Sequence, residues 1–114
     1  MPSDFQIETQ QPEEGIVVAS PVGEVDLASS PALRTRLSQI ISESPNRLII
    51  DLSQVPYMDS SGVATLVEAL QQSRRQSTTL VLASLQDRVK SVFEIARLDT
   101  VFDIKADVAS ACGE

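Results

Sequence analysis

Three stretches of helical apolar spacing, interleaved with short apolar runs, constrain this chain more than any other feature. Leu33, Leu37, Ile40 and Ile41 fall at i, i+4, i+7 and i+8, one stripe of an amphipathic helix. Val63, Leu66, Val67 and Leu70 mark a second stripe, and Val89, Val92, Phe93 and Ala96 a third. Between and after them lie Leu48-Ile49-Ile50, Thr79-Leu80-Val81-Leu82-Ala83 and Val101-Phe102-Asp103-Ile104. The first, continuously apolar, reads as a strand covered on both faces, the second as a further apolar strand core and the third as a last short strand. Strands separated by a helix pair in parallel, because the chain must return to the same end before the next strand begins.

Upstream the pattern differs. Phe5-Gln6-Ile7-Glu8 alternates apolar and polar, as a half-exposed strand does; Gln11 to Gly15 reads as a turn, and Ile16 to Ala19 as a better-buried strand. A connection this short predicts an antiparallel hairpin. Pro21 predicts a bulge or an edge position. Ser29-Ser30-Pro31 predicts a helix start, with Ser30 as N-cap and Pro31 at the first helical position. Asp107 predicts the cap of a brief last helix. The fold class is therefore α/β: a single domain with a mixed β-sheet, first pair antiparallel and remaining crossovers parallel, with α-helices packed on it. The domain is expected over residues 4–111, with 1–3 and 112–114 as terminal tails. The order of strands across the sheet is not contained in the pattern.

Composition narrows the chemistry. The 114 residues include no His, which removes Ser-His-Asp and Cys-His catalysis and imidazole metal sites. Sixteen acids against nine bases give a net charge of −7, the wrong sign for a phosphate backbone. Cys112 is the one cysteine, so no internal disulfide forms, and the expectation is a frayed-end thiol without a role. Met1 to Gln11 is polar and acidic, unlike a signal or transit peptide, and no apolar run approaches the roughly 20 residues that span a bilayer. The expectation is a cytoplasmic, non-enzymatic protein without cofactor, metal, nucleic acid or membrane insertion, monomeric or weakly dimeric.

One segment stands out: Asp51-Leu-Ser-Gln-Val-Pro-Tyr-Met-Asp-Ser-Ser-Gly62. It runs from the end of a buried strand to a helix N-terminus, where open α/β sheets place their ligands. Unpaired helical N–H groups, the positive end of the helix dipole and two hydroxyls coincide there. Taken alone, the pattern is better explained as a capped helix with Asp59 or Ser60 at the cap and Gly62 at a close backbone approach, since Asp and Ser are among the commonest caps. Neither a Walker lysine nor a glycine-rich dinucleotide pattern is present.

The wider context resembles the STAS family, the sulfate-transporter and anti-sigma-factor-antagonist domain, and most closely its bacterial anti-sigma factor antagonists. Tyr57-Met58-Asp59-Ser60-Ser61-Gly62 is similar to the family's signature loop, Gly23-Glu24-Val25-Asp26 to its short motif after the second strand, and Val89 to Ile95 to a later helix. The resemblance implies a switch at Ser60. A partner anti-sigma factor, itself a serine kinase, binds the unphosphorylated form and phosphorylates it, and a serine phosphatase reverses the step. Asp59 matches the acidic residue at the kinase interface, and Ser61 and Gly62 match the rest of the loop. Free helical N–H groups predict that the fold tolerates the added charge.

Met58 and Tyr57 are expected to support the loop, with Met58 also a candidate partner contact. Glu24 and Asp26 are candidates for the same surface or else a solvated strand end. The first 33 residues hold six acids and no base, so a basic partner surface would speed encounter. Ala64 stands where many antagonists carry glycine, predicting altered helix packing near the loop. Arg97 stands where the later helix often ends in glycine, and is expected to close that helix as its last residue. The same fold would also suit a STAS subunit of a lipid-transport ATPase or a sensory scaffold.

Overall fold

The computed structural model describes residues 5–113; of the expected tails, residues 1–3 and Glu114, together with Asp4, lie outside them. The elements follow in the order β1 (Gln6–Glu13), β2 (Ile16–Val22), α1 (Ser30–Ser42), β3 (Arg47–Asp51), α2 (Ser60–Arg75), β4 (Thr79–Ala83), α3 (Asp87–Ile95), β5 (Asp103–Lys105) and α4 (Val108–Ala111). The strands lie across the sheet in chain order, β1-β2-β3-β4-β5. β1 pairs with β2 antiparallel, and every later neighbour is parallel. Each parallel step to the adjacent strand carries one helix. Crossovers of one hand that step in one direction stack their helices on one face of the sheet.

The core records this division. Ala19, Leu48, Ile50, Leu80 and Leu82 face α1 to α3, packed with Leu33, Leu37, Ile41, Leu66, Leu70, Val89 and Phe93. Val18, Ile49, Val81 and Ala83 point to the other face, beneath Ala111, Val108 and Cys112. Leu48, Ile49 and Ile50 are all fully buried, as a strand covered on both faces requires. Cys112 is therefore no frayed end. It caps α4 and packs on the second face, and the Arg47 guanidinium donates to the Ala111 carbonyl at 3.3 Å.

Local chemistry accounts for the boundaries. β1 continues through Pro12 to Glu13, past the expected turn, because its register with β2 shifts between Gln10 and Glu13 and an irregularity on an edge strand tolerates proline. The turn proper is Glu14-Gly15. Gly15 has φ +84°, and a Cβ there would lie 2.6 Å from the Asn46 side-chain nitrogen, so this turn requires glycine. Pro21 sits in no bulge: the ladder between β2 and β3 ends at Ala19, so its missing N–H costs no bond to β3. β5 starts two residues later than the apolar run predicts. The Val101 and Phe102 amides both close a turn on the Leu98 carbonyl, and Phe102 stacks edge-on against Phe93 at 5.4 Å.

Arg97 lies beyond α3, not at its end. The helix stops at Ile95 with Ala96 as C-cap, and Arg97 takes the left-handed conformation at φ 59°. Its amide donates to the Glu94 carbonyl and that of Leu98 to Phe93, the paired bonds of a Schellman close. Arg97 thus occupies a glycine conformation with an L side chain. Ser77 closes α2 the same way, at φ 59°.

Candidate functional site

The loop between β3 and α2 is built from backbone hydrogen bonds to the loop that follows β2. The Gly23 amide donates to the Gln54 carbonyl, Val25 to Tyr57, and Asp59 to Val25, each at 3.0 Å. Val25 and Met58 form an isolated parallel bridge. Because side chains alternate along extended backbone, the bridge turns Val25 and Met58 inward, where both are buried. Glu24 is left exposed, as is Tyr57, while Asp26 and Asp59 are half-buried. The two motifs are one structure.

Asp59 is the N-cap of α2. Its carboxylate accepts from the Ser61 amide at 2.9 Å, the Ser61 hydroxyl and the Gly62 amide at 3.4 Å, while its carbonyl accepts from Gly62 and Val63. The Ser61 hydroxyl is the main reason that its carboxyl ionises below the ordinary aspartate value. The amides of Ser61, Gly62 and Leu27 add to the effect against an opposing burial cost. Thr65 continues the order inward, its hydroxyl donating to the Ser61 carbonyl at 2.9 Å.

Ser60 is the member of the loop that this network omits. It is exposed, it occupies the first helical position, and no hydrogen bond among the described residues engages its hydroxyl. Ser61, one residue on, is half-buried and committed to Asp59. The amides of Ser61 and Gly62 are committed too, so of the free N–H groups expected to await a phosphate only that of Ser60 lacks an acceptor among the described residues. An anion at Ser60 would stand outside a cap already filled by the Asp59 carboxylate. Solvent exposure, not amide capture, makes room for charge at this position.

Several expectations require revision here. Met58 is 1% exposed and so supports the loop from beneath; its side chain offers nothing to a partner. Gly62 is buried as well. A Cβ on it would lie 2.6 Å from Met58 Cγ and 2.7 Å from Val25 Cγ1, so glycine lets α2 settle onto the bridge. Asp26 spends one carboxylate oxygen on the Ala28 and Ser29 amides, which makes it a turn residue first. Ala64 is exposed, so its methyl changes no packing. At α1 the cap is Ser29, with Ser30 already helical and Pro31 one place later than expected. The Ser29 hydroxyl donates to the Glu24 carbonyl and accepts from the Asp26 amide, and so braces the turn instead of capping the helix.

Leu27 was missed by sequence reasoning altogether. It is 77% exposed at the apex of the Asp26–Ser29 turn, and a lone leucine between an acid and an alanine gives no periodic signal.

Among the described residues no group of three His, Cys, Asp or Glu side chains is placed to hold a metal ion. No helix is long and apolar enough to cross a membrane. A groove between β1 and α1, lined by Phe5, Ile7, Pro31, Ala32 and Thr35 among others, includes no residue of the Ser60 loop.

Comparison with known proteins gives a consistent result. The family profile described as STAS domain matches residues 6–111. An anti-sigma-B factor antagonist of Bacillus subtilis is 32% identical over 103 residues, 90% of this chain and 93% of its own. One from Listeria monocytogenes is 36% identical over 83 residues, 73% of each chain. Among solved structures, the anti-sigma factor antagonist SpoIIAA of Bacillus in its unphosphorylated form superposes with a TM-score of 0.80 at 20% identity, covering 94% of this chain and 93% of its own. Its phosphorylated form superposes at 0.73 with 19% identity, covering 94% and 96%. At these identities the superpositions establish the fold.

Proposed function

The chain belongs to the STAS domain family, and from that premise we propose that it is an anti-sigma factor antagonist: a protein-binding module, not a catalyst, that holds an anti-sigma factor while Ser60 is unphosphorylated. The anti-sigma factor is a serine kinase that phosphorylates Ser60 and is thereby released, and a serine phosphatase resets the module. The exchange takes place in the cytoplasm, where sigma factors act. The full-length relatives named as anti-sigma-B factor antagonists support the partner class.

The observation that carries the reading is the inequality of two adjacent serines. Ser61 is tied to Asp59, whereas Ser60 presents an unengaged hydroxyl at an exposed helix start. A kinase needs an accessible oxygen that costs the fold nothing to modify. Phosphoserine brings about −1.5 to −2 charges at pH 7, and here it would sit beside the Asp59 carboxylate. In the free protein that charge is hydrated. Against a docked partner it is desolvated and repelled by any acid it meets. A coupling of about 3 kcal/mol, at the upper end of ordinary values, weakens binding more than 100-fold. Asp59, Ser61, Gly62 and Met58 then serve mainly to position Ser60, with Glu24 and the outer edge of Asp59 facing the partner.

The test is incubation with the purified anti-sigma factor kinase of the source organism and ATP, followed by mass spectrometry and calorimetry. Phosphate is expected on Ser60. Ser60→Ala is expected to stay unmodified and bind constitutively, and Ser60→Asp to bind at least 100-fold more weakly. Phosphate confined to another residue, or equal binding by Ser60→Asp, overturns the switch.

A further inference from the structure

We propose that Leu27 is an apolar anchor for the anti-sigma factor, seated in a hydrophobic socket on the partner whose rim carries Lys or Arg; this rests on the function proposed above and adds a residue and a chemistry to it. Leu27 leaves 77% of its surface in water, and single exposed leucines are ordinary on protein surfaces. What distinguishes this one is the rigidity beneath it. The turn is fixed on both sides: the Ala28 and Ser29 amides donate to the Asp26 carboxylate at 3.0 Å, the Ser29 and Ser30 amides donate to the Asp26 carbonyl, and the buried Ser29 hydroxyl donates to the Glu24 carbonyl at 2.8 Å. The loop that carries Leu27 is joined to the Ser60 loop by the backbone bonds of Val25 to Tyr57 and of Asp59 to Val25, each at 3.0 Å. A side chain held out on an ordered backbone loses little freedom on binding, which is what an anchor needs.

The surroundings select the occupant. Tyr57, 41% exposed, stands across the Val25–Met58 bridge and supplies a second apolar body with a polar tip, the residue type that interfaces favour. Glu24, Asp26 and Asp59 lie in the same two loops, and neither residues 1–33 nor residues 48–73 contain a Lys or Arg. Two exposed apolar side chains in loops that carry acids and no base match a hydrophobic socket with a basic rim. They disfavour a second copy of this chain meeting it face to face, because the acids would oppose one another, and an anionic lipid surface for the same reason. Because the loop of Leu27 and the loop of Ser60 are bonded to each other, one docked body would reach the anchor and the switch together. Ile95 is more exposed still, at 84%, but it lies in the last turn of α3 outside these loops and provides a control.

The experiment uses the full chain and the purified anti-sigma factor kinases of the source organism, each titrated by calorimetry. Leu27→Ala is expected to weaken binding about 10- to 50-fold, Leu27→Asp more than about 100-fold, and Leu27→Met to restore it within about 3-fold, with thermal unfolding unchanged. The Leu27→Ala loss should be equal at low and high salt, whereas the loss in Glu24→Gln should shrink as salt rises. In the phosphorylation assay Leu27→Ala should raise KM for this protein and leave kcat unaltered, and Ile95→Ala should change neither. Binding of Leu27→Ala within about 2-fold of wild type, with Ser60→Asp still abolishing it, removes the anchor and leaves the switch standing. Failure of the wild type to bind any of the kinases removes the switch itself. A wild-type dimer that Leu27→Asp disperses assigns the patch to self-association and overturns the anchor.

Discussion

Two neighbouring helices, α1 and α2, each begin behind a parallel strand with an aspartate and a pair of serines, yet they put those serines to opposite uses. At α1, Ser29 and Ser30 are buried, and the Asp26 carboxylate reaches forward to brace the turn before the helix. At α2, Asp59 is itself the cap, Ser61 is tied to it, and Ser60 is left outside. The difference is one of helical phase. Leu33 faces the core, and Ser29 and Ser30 lie four and three residues before it, on the same face. Gly62 faces the core of the second helix, and Ser60, two residues earlier, is rotated by about 200° toward solvent. The same residue types make a structural turn in one place and an exposed, unengaged hydroxyl in the other, so the composition of a helix start says little without the direction of its apolar stripe.

The strongest way to break the comparison is to spoil that phase. Gly62→Ala drives a Cβ to within 2.7 Å of Met58 and Val25, both buried. Overpacking of this kind costs about 3 kcal/mol at its upper range, offset in part by the better helix propensity of alanine. Urea denaturation should show that loss, and because α2 can no longer sit on the bridge, binding of the anti-sigma factor should fall with it. Unchanged stability would mean that the loop accommodates the methyl and that Gly62 does not fix how Ser60 is presented.

The next effect belongs to α1. Ser29→Ala removes a buried hydroxyl that accepts from the Asp26 amide at 2.9 Å and donates to the Glu24 carbonyl, leaving both without that partner. The expected cost is about 2 kcal/mol, read by the same denaturation. It should also loosen the turn that carries Leu27. A cost below about 0.5 kcal/mol would show that the Asp26 carboxylate alone holds the turn.

Asp59→Ala tests the other cap, with an expected loss of about 1 kcal/mol at neutral pH. The Asp59 carboxyl ionises below its ordinary value, first because of the Ser61 hydroxyl and then because of the amides around it. A depressed carboxyl stabilises the fold above its unfolded pKa, near 4, and that contribution disappears as pH falls through the folded value. The gap in unfolding free energy between wild type and Asp59→Ala should therefore hold steady from neutral pH to about 4.5 and narrow below about 4. A gap that stays constant to pH 2 would mean that the charge of Asp59 contributes nothing to the cap.

Much of this was legible in the chain. Three stripes and three apolar runs were enough for the parallel part of the sheet and the short Gln11 to Gly15 connection for its antiparallel first pair, and Asp107 caps α4 as its position predicts, accepting from the Ser110 amide at 2.7 Å. The burial of Ser29 and Ser30 follows from counting back from Leu33. What could not be read depends on contacts distant in sequence. Met58 supports the loop as expected, but its partner in doing so is Val25, 33 positions away, through a single bridge, and nothing near Met58 announces that contact. Cys112 is ordered by a sheet face made of residues from three strands. The strand order is set by which strands pair, through contacts between residues far apart in the chain, and no local pattern encodes it. The Ser61 and Gly62 amides expected to be free at α2 were lost to Asp59, a competition between an internal and an external anion that only geometry decides.

The smallest expected effect is the sharpest test of the comparison. Ser60→Ala removes a hydroxyl that no described group engages, on an exposed position, and substitutions of that kind fall within about 0.5 kcal/mol of wild type. Ser61→Ala removes the hydroxyl that chiefly lowers the Asp59 carboxyl, so it should cost about 1 kcal/mol and move the acid transition of the protein upward in pH. Phosphorylation should respond in the reverse order: abolished in Ser60→Ala, retained in Ser61→Ala. Stability and modification would then separate onto two adjacent serines, one belonging to the fold and one to the partner. If instead Ser60→Ala proved the more destabilising of the two, Ser60 would be the structural cap, and the free hydroxyl on which the switch depends would not exist in solution.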